Sequence, residues 1–319
     1  MARPALNQFS RSLALTATLL ACNGDDEPTG PDSELESVDI VASCPPLAPP
    51  SSTNVNVETD VIYANQGGQT QRLDIAWPRT GGPHPLIVLV HGGNWSGGSR
   101  TDLHNEMLVL ANEGYAAASI GYRLANNGQN IFPAAVEDLR CAVRWLRSNA
   151  ADYDIDASRV GAVGISAGAH LVSMLGTASD VSGLDGACPI TDQPVDVSAV
   201  LAWAGPHDLR VNGPYTQQQA DIVTNFLGAF PGDAPGIAAL ASPVVHVTAD
   251  DAAYLMVHGT VDGLVPIGQS RLMRDALHAA GVRATLIELA GVGHQFFPLG
   301  FGFAPEVGCT AKAFFEAWL

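Results

Sequence analysis

The order of apolar and polar positions divides most of the chain into alternating strands and helices. Asn54 to Ala64 and Gln71 to Trp77 alternate apolar and polar residues, the period of a strand with one solvated face. Pro85-Leu-Ile-Val-Leu-Val90 is a continuous apolar run, which marks a strand buried on both faces. Tyr115 to Gly121, Arg159 to Gly164, Val197 to Trp203, Tyr254 to His258 and Ala284 to Glu288 continue the series. Between them, Val136, Leu139, Val143 and Leu146 recur at steps of three and four behind Pro133, which predicts a helix with one apolar stripe. Ser270 to Ala280 repeats that pattern, with Leu272, Ala276 and Leu277 inward and Gly281 as the stop. Ala169 to Leu175 reads as a further helix. About eight strands alternating with helices predict an α/β architecture, a mainly parallel twisted sheet covered on both faces, within one domain over 54–319. The stretch from Gly205 to about Ser242 is irregular and rich in Gly and Pro, and is expected to insert near the site.

The beginning of the chain is of a different kind. Arg3 and Arg11 precede an apolar run, Ser12 to Ala21, too short to span a bilayer. It ends at Leu19-Leu20-Ala21-Cys22, the layout of a lipoprotein signal in which residues 1–21 are removed and Cys22 is lipidated. Leu20 is a less usual residue there, so ordinary secretory cleavage is the alternative. Residues 22–53 are rich in Pro, Ser, Asp and Glu and are expected to form a flexible tether. Both readings put the protein in the bacterial cell envelope or outside the cell.

Composition narrows the function. With 47% hydrophobic residues, a sizeable core can form. A formal net charge of −17, with only 15 Lys and Arg, argues against nucleic acid and against electrostatic docking on anionic lipid. Contact with a membrane is expected only through the anchor at Cys22. If Cys22 is lipidated, Cys44, Cys141, Cys188 and Cys309 remain, and an oxidising compartment allows one or two disulfides in any of three full pairings. No zinc-like spacing is present.

The chemistry concentrates in glycine-rich turns that follow the apolar runs. Gly164-Ile165-Ser166-Ala167-Gly168 stands between a buried run and a helix, the context of a nucleophile elbow, with Ser166 as the nucleophile. The helix N-terminus adds partial positive charge where an oxyanion would form. His91-Gly92-Gly93-Asn94-Trp95 follows Val90 and offers backbone donors for that oxyanion. Gly93, Asn94 and Ala167 are the candidate donors. Asn94 stands where a third Gly is usual and is, after Gly, well able to hold the turn geometry. Trp95 and Ile165 are candidate pocket residues, and His91 is expected to fix the loop. A serine hydroxyl needs a base, and the base an orienting carboxylate, in the order Ser, Asp, His. Asp262 in His258-Gly-Thr-Val-Asp262 and His294 in Gly291-Val-Gly-His294 follow successive strands and fill those roles. Asp208 is a rival acid one strand earlier. His207, His246 and His258 read as structural or exposed, and His170 as a core histidine.

With these residues in place, the chain resembles bacterial esterases of the alpha/beta-hydrolase superfamily. It stands close to the BD-FAE-like branch (feruloyl esterase, acetyl esterase, kynurenine formamidase) and the hormone-sensitive-lipase-like branch. The likeness runs from about Val57 to Leu319. It includes His91 to Ser99, Tyr122-Arg-Leu124, Phe132 to Asp138, Gly164 to Leu171, Ser242-Pro-Val244, His258 to Asp262 and Gly293-His294. The resemblance implies an α/β-hydrolase fold, a carboxylic ester substrate, no metal and no cofactor. Asn94 and the scant N-terminal material imply a small cap or none. An open pocket would suit acetyl or feruloyl esters of plant polysaccharide. An amide hydrolase with the same triad and a non-catalytic envelope binding protein are the competing readings.

Overall fold

The computed structural model describes residues 35–45, 47–210, 216–294 and 305–319. The signal-like segment and Cys22 lie outside these residues. Eight strands form one sheet: β1 (Val55–Gln66), β2 (Gln69–Pro78), β3 (His84–Val90), β4 (Ala116–Ile120), β5 (Ile155–Ile165), β6 (Ala199–Trp203), β7 (Ala253–Gly259) and β8 (Ala284–Leu289). Their order is β1-β2-β4-β3-β5-β6-β7-β8. The β1–β2 and β2–β4 pairings are antiparallel and the rest parallel, which matches the alternating pattern of the first two strands and the apolar runs of the others. β5 begins at Ile155, earlier than its apolar run. Its pairing with β3 slips between Pro85 and Leu86, and the polar Asp156 and Arg159 in that irregular turn of strand hide its start from the pattern.

Among the described residues, seven α-helices accompany the sheet: α1 (His104–Asn112), α2 (Ala134–Ser148), α3 (Ala167–Thr177), α4 (Gln217–Leu227), α5 (Pro235–Leu240), α6 (Gly268–Ala279) and α7 (Pro305–Trp318). Two buried clusters result. One face is packed by α2, α3, α4 and α6, through residues such as Leu139, Leu171, Phe226 and Leu277. The other is packed by α1 and α7, through Met107, Leu110, Phe314 and Phe315. The predicted stripe of α2 is the one observed, for Val136, Leu139, Val143 and Leu146 are all buried. On α6 the inward residues are Met273 and Leu277, whereas Leu272 is 42% exposed. The expectation for Leu272 fails because the helix rotates its face toward Ser270, which is bonded to β7.

The expected tether also needs correction over its described part. Residues 35–45 and 47–53 run against the domain and are fastened to it. Ser37 Oγ donates to the Tyr254 carbonyl at 2.6 Å, and Trp318 Nε1 donates to the Ser37 carbonyl at 2.9 Å. Val41 N–H donates to Thr310 Oγ1 at 3.0 Å, and Ala48 N–H to Glu113 Oε1 at 2.7 Å. Cys44 is bonded to Cys309 on α7, across a sequence separation of 265. Polar composition predicts solvation, but backbone donors and one covalent bond hold this strap without a large apolar surface. Cys141 of α2 is bonded to Cys188, so of the three open full pairings the one formed joins Cys44 to Cys309 and Cys141 to Cys188.

Replacing Cys44 and Cys309 together by Ala is expected to cost about 2–5 kcal/mol of stability. Urea denaturation under oxidising conditions measures this. An unchanged midpoint would show that the strap contributes nothing to the fold.

Candidate active site

The site is built at the carboxyl ends of β3, β5, β7 and β8. Ser166 is the turn between β5 and α3, with φ 55° and ψ −116°. A side-chain-bearing residue pays strain in that region of backbone space. The turn is tied down by the Ser166 N–H, which donates to the Trp203 carbonyl at 2.8 Å. Glycine is required two residues on, since a Cβ on Gly168 would lie 2.0 Å from the Val90 carbonyl. That contact lets α3 approach β3 closely enough to place its N-terminus beside the loop after Val90.

The three separated polar residues meet here. His294 Nε2 lies 3.0 Å from Ser166 Oγ, and His294 Nδ1 lies 2.7 Å from Asp262 Oδ2. Asp262 Oδ1 accepts the N–H groups of Leu264 and Val265, each at 2.9 Å. Burial works to raise the Asp262 carboxyl. The hydrogen bonds from His258, His294 and the Val265 N–H outweigh it and hold the group well below the usual carboxylate range. An ionised Asp262 against Nδ1 fixes the His294 tautomer that leaves Nε2 able to accept the serine proton. Asp208, the rival acid, is instead engaged by Arg210, with Nε and Nη2 each 2.8 Å from its carboxylate oxygens.

The glycine-rich loop after β3 has the backbone that donors aimed at one point require. Gly93, Asn94 and Trp95 all have positive φ, at 113°, 55° and 57°. A Cβ on Gly93 would fall 2.3 Å from the Gly97 carbonyl, so no other residue fits. None of the described hydrogen bonds uses the N–H of Gly93 or Asn94. Ala167 opens α3, where an N–H has no intrahelical acceptor. Asn94 and Ala167 both line the cavity beside Ser166, and Gly93 does not. His91 is buried, stacks on Tyr122 at 4.3 Å and lies 2.8 Å from the Gly92 carbonyl, a loop-fixing role.

Beside Ser166 lies a cavity of about 710 Å³. Its apolar walls come from Trp95, Leu209, Ile222, Val223, Leu264 and Leu272. Trp95 both packs and lines: its indole N–H donates to His170 Nδ1 at 3.1 Å, and its ring stacks on Phe226 at 4.3 Å. Ile165 is not on this cavity. Side chains alternate along β5, and Ile165 points with Val163 to the opposite face, against Leu103 and Trp203. The insertion after β6, expected near the site, supplies part of the wall through α4. The polar lining is largely spent on the scaffold. Gln269 Oε1 accepts from His207 and Asp208 N–H, each at 2.7 Å, and Gln219 bridges Thr216 and Leu264. No motif announced these wall residues, because an amphipathic helix carries the same pattern over a cavity as over a core.

Two histidines beneath the cavity are fully buried. His170 lies 2.7 Å from the Ala241 carbonyl through Nε2, and burial lowers it to about 4. Neither ring nitrogen of His207 has a hydrogen-bond partner among the described residues. Burial, then the neighbouring His258 and His170, lower it to about 3. His246 is partly exposed, with Nε2 2.9 Å from the Leu240 carbonyl.

The sheet order, the serine elbow and the Ser–His–Asp array define the class: an α/β-hydrolase with a serine nucleophile elbow. The family model BD-FAE matches residues 73–277, and the chain belongs to that family. It is 29% identical over 280 residues to Esterase LipQ of Mycobacterium tuberculosis, covering 84% of this chain and 64% of LipQ. It is 28% identical to Esterase LipC of the same organism, covering 74% of this chain and 59% of LipC. The chain thus spans less than two thirds of the length of these curated relatives. Among solved structures, a truncated form of a carbohydrate esterase from gut microbiota superposes with a TM-score of 0.73 at 28% identity, covering 85% of this chain and 99% of that one. The thermophilic esterase Est2 of Thermogutta terrifontis superposes with a TM-score of 0.66 at 26% identity, covering 83% and 91%.

The buried histidines give a pH dependence whose sign can be worked out. In the unfolded chain each binds a proton near its ordinary value of 6.5, while in the fold His170 and His207 stay neutral down to about 4 and 3. Their contribution is therefore fully present above pH 6.5. It is lost as pH falls toward those folded values, by up to about 1.4 kcal/mol per pH unit for each group. Unfolding free energies measured from pH 7.5 to 4.5 should show this decline, and His207→Leu should make it shallower. An unaltered slope in that variant would contradict the assignment.

Proposed function

We propose that the protein is a carboxylic-ester hydrolase that works through an acyl-enzyme. The observation that carries this reading is the continuous line from Ser166 Oγ to His294 Nε2 at 3.0 Å and from His294 Nδ1 to Asp262 Oδ2 at 2.7 Å, beside an apolar cavity. Ser166 Oγ attacks the ester carbonyl as its proton passes to His294 Nε2. Asp262 holds the ring and stabilises the imidazolium. The N–H groups of Asn94 and Ala167, with Gly93 behind them, face the developing oxyanion. His294 then gives the proton to the departing alkoxide. Water, deprotonated by the same nitrogen, cleaves the acyl-enzyme and restores Ser166. The esterase names of the relatives and of the superposed structures support ester chemistry.

The walls favour a particular substrate within that class. A cavity of about 710 Å³ is within the range that buries a whole small ligand, and acetyl would leave most of it unfilled. With the Gln219 and Gln269 amides engaged in the scaffold, the surface left to the substrate is mainly apolar, and its polar part is Asn94 and the Asp208–Arg210 pair. A bulky or aromatic acyl group, such as feruloyl on a plant polysaccharide, fits these walls better than acetyl does.

We further propose that the enzyme is exported and held at the envelope through a lipidated Cys22. The signal-like order of Arg3, Arg11, the apolar run and Cys22 supports this. So do the two disulfides, which an oxidising compartment allows. Mass spectrometry of the mature N-terminus should find a diacylglyceryl group on Cys22. A free N-terminus at another residue would overturn the anchor.

Ser166→Ala is expected to lower kcat on a p-nitrophenyl ester by roughly 10³-fold or more while the protein stays folded. Full activity in that variant would sink the hydrolase reading. A panel of acetyl, octanoyl and feruloyl esters and formyl-kynurenine should give the highest kcat/KM with a bulky acyl ester. Faster turnover of formyl-kynurenine would select amide hydrolysis instead. Failure of a fluorophosphonate to label Ser166 would select a binding protein.

A further inference from the structure

His258, at the end of β7, is a polar side chain beside the acid that the reaction has not used. It is fully buried. Its Nε2 lies 2.8 Å from the Val265 carbonyl, and its Nδ1 lies 2.8 Å from Ser270 Oγ on α6. A carbonyl only accepts, so Nε2 carries the proton and Nδ1 accepts from the serine hydroxyl. That same N–H is 3.2 Å from Asp262 Oδ2, the oxygen that faces His294. The other carboxylate oxygen is held by the N–H of Val265, whose carbonyl His258 holds. The ring therefore joins three things: the end of β7, the loop carrying the acid, and α6.

We propose that His258 is a positioning residue for Asp262: its Nε2–H, with the tautomer set by Ser270, clamps the acid loop through Val265 and shares Oδ2 with His294, so the carboxylate keeps one orientation toward the base. The inference rests on the Ser–His–Asp hydrolysis proposed above. Other groups around the ring are accounted for. Glu288 on β8 is paired with Arg271 of α6 at 2.5 Å. His207, after β6, is held neutral by burial and by its neighbours His258 and His170. Among the described hydrogen bonds, the one from α6 to the ring is that of the neutral Ser270 hydroxyl. The bond from His258 also draws electron density from Oδ2, which lowers the basicity that Asp262 presents to the imidazolium of His294.

The test compares His258→Leu, His258→Gln and Ser270→Ala in the full chain with disulfides intact. In His258→Leu, kcat should fall roughly 10-fold to 100-fold, the loss typical of a misplaced catalytic group, with KM within about two-fold. The acid limb of the kcat profile should move to higher pH, because Oδ2 becomes the better acceptor for His294. His258→Gln, whose amide can still donate, should recover part of both changes, and Ser270→Ala should show a weaker loss of kcat. A merely structural role would lower thermal stability and leave the acid limb where it is. Folded His258→Leu with wild-type kcat and an unmoved limb overturns the proposal. If His258→Leu does not fold, wild-type profiles in both His258→Gln and Ser270→Ala overturn it. Ser166→Ala as a control separates the two readings. If it is inactive while the His258 variants behave as wild type, only the positioning role falls. If it is active, the hydrolase reading falls.

Discussion

The site depends on one close approach. The α3 helix can press against the end of β3 only because Gly168 has no side chain at the Val90 carbonyl. That contact sets the strained Ser166 turn, the direction of the α3 N-terminus and the distance from Ala167 to the loop bearing Asn94. Strain of this kind is of order 1–3 kcal/mol and persists only where the surroundings overdetermine it. Here the Ser166 N–H is fixed by Trp203, and Ala167 and Leu171 are packed into the larger core. The cost of the turn is borne by a buried sheet that has no alternative packing for it.

Around this turn the protein keeps its polar groups in fixed roles. His170 supports Trp95, His91 supports the glycine-rich loop, and His258 supports the acid loop, each through a ring nitrogen with a defined partner. A neutral imidazole can donate from one nitrogen and accept at the other, which suits it to joining a backbone carbonyl to a second element in a dry interior. Within the pair of His294 and Asp262, His294 keeps some contact with solvent, its side chain 13% exposed against none for Asp262. The division is physical: the rings that hold other groups in place are dry, and the ring beside the Ser166 hydroxyl is not.

The outer parts of the fold carry stability at little apolar expense. The strap over 35–45 and 47–53 makes backbone hydrogen bonds, is tied at Cys44 by a disulfide to α7 and is bonded to α7 again through Val41. A buried ion pair does similar work nearer the site. Arg123 is bound by Asp138 and Glu137 of α2, and its loop joins β4 to the chain leading into that helix. Such a pair fixes geometry more than it adds net stability, since both charges lose their water.

The sequence by itself determined the sheet, the elbow and the order of the functional residues. Buried strands need runs such as Leu86 to Val90, and an elbow needs glycines around Ser166, so both leave local marks. Asp262 and His294 were legible because each stands in a glycine-rich turn behind such a run. Four things were decided only in three dimensions. The pairing of Cys44 with Cys309 and the docking of the strap depend on contacts some 265 residues apart, which no local pattern records. Leu272 and Ile165 changed sides because a half-turn of helix or one step along a strand moves a side chain to another face. The cavity wall on α4 has the same apolar stripe as a core helix. The role of His258 depends on Ser270 and Val265 arriving at its two nitrogens, and spacing along the chain cannot say which groups meet a buried ring.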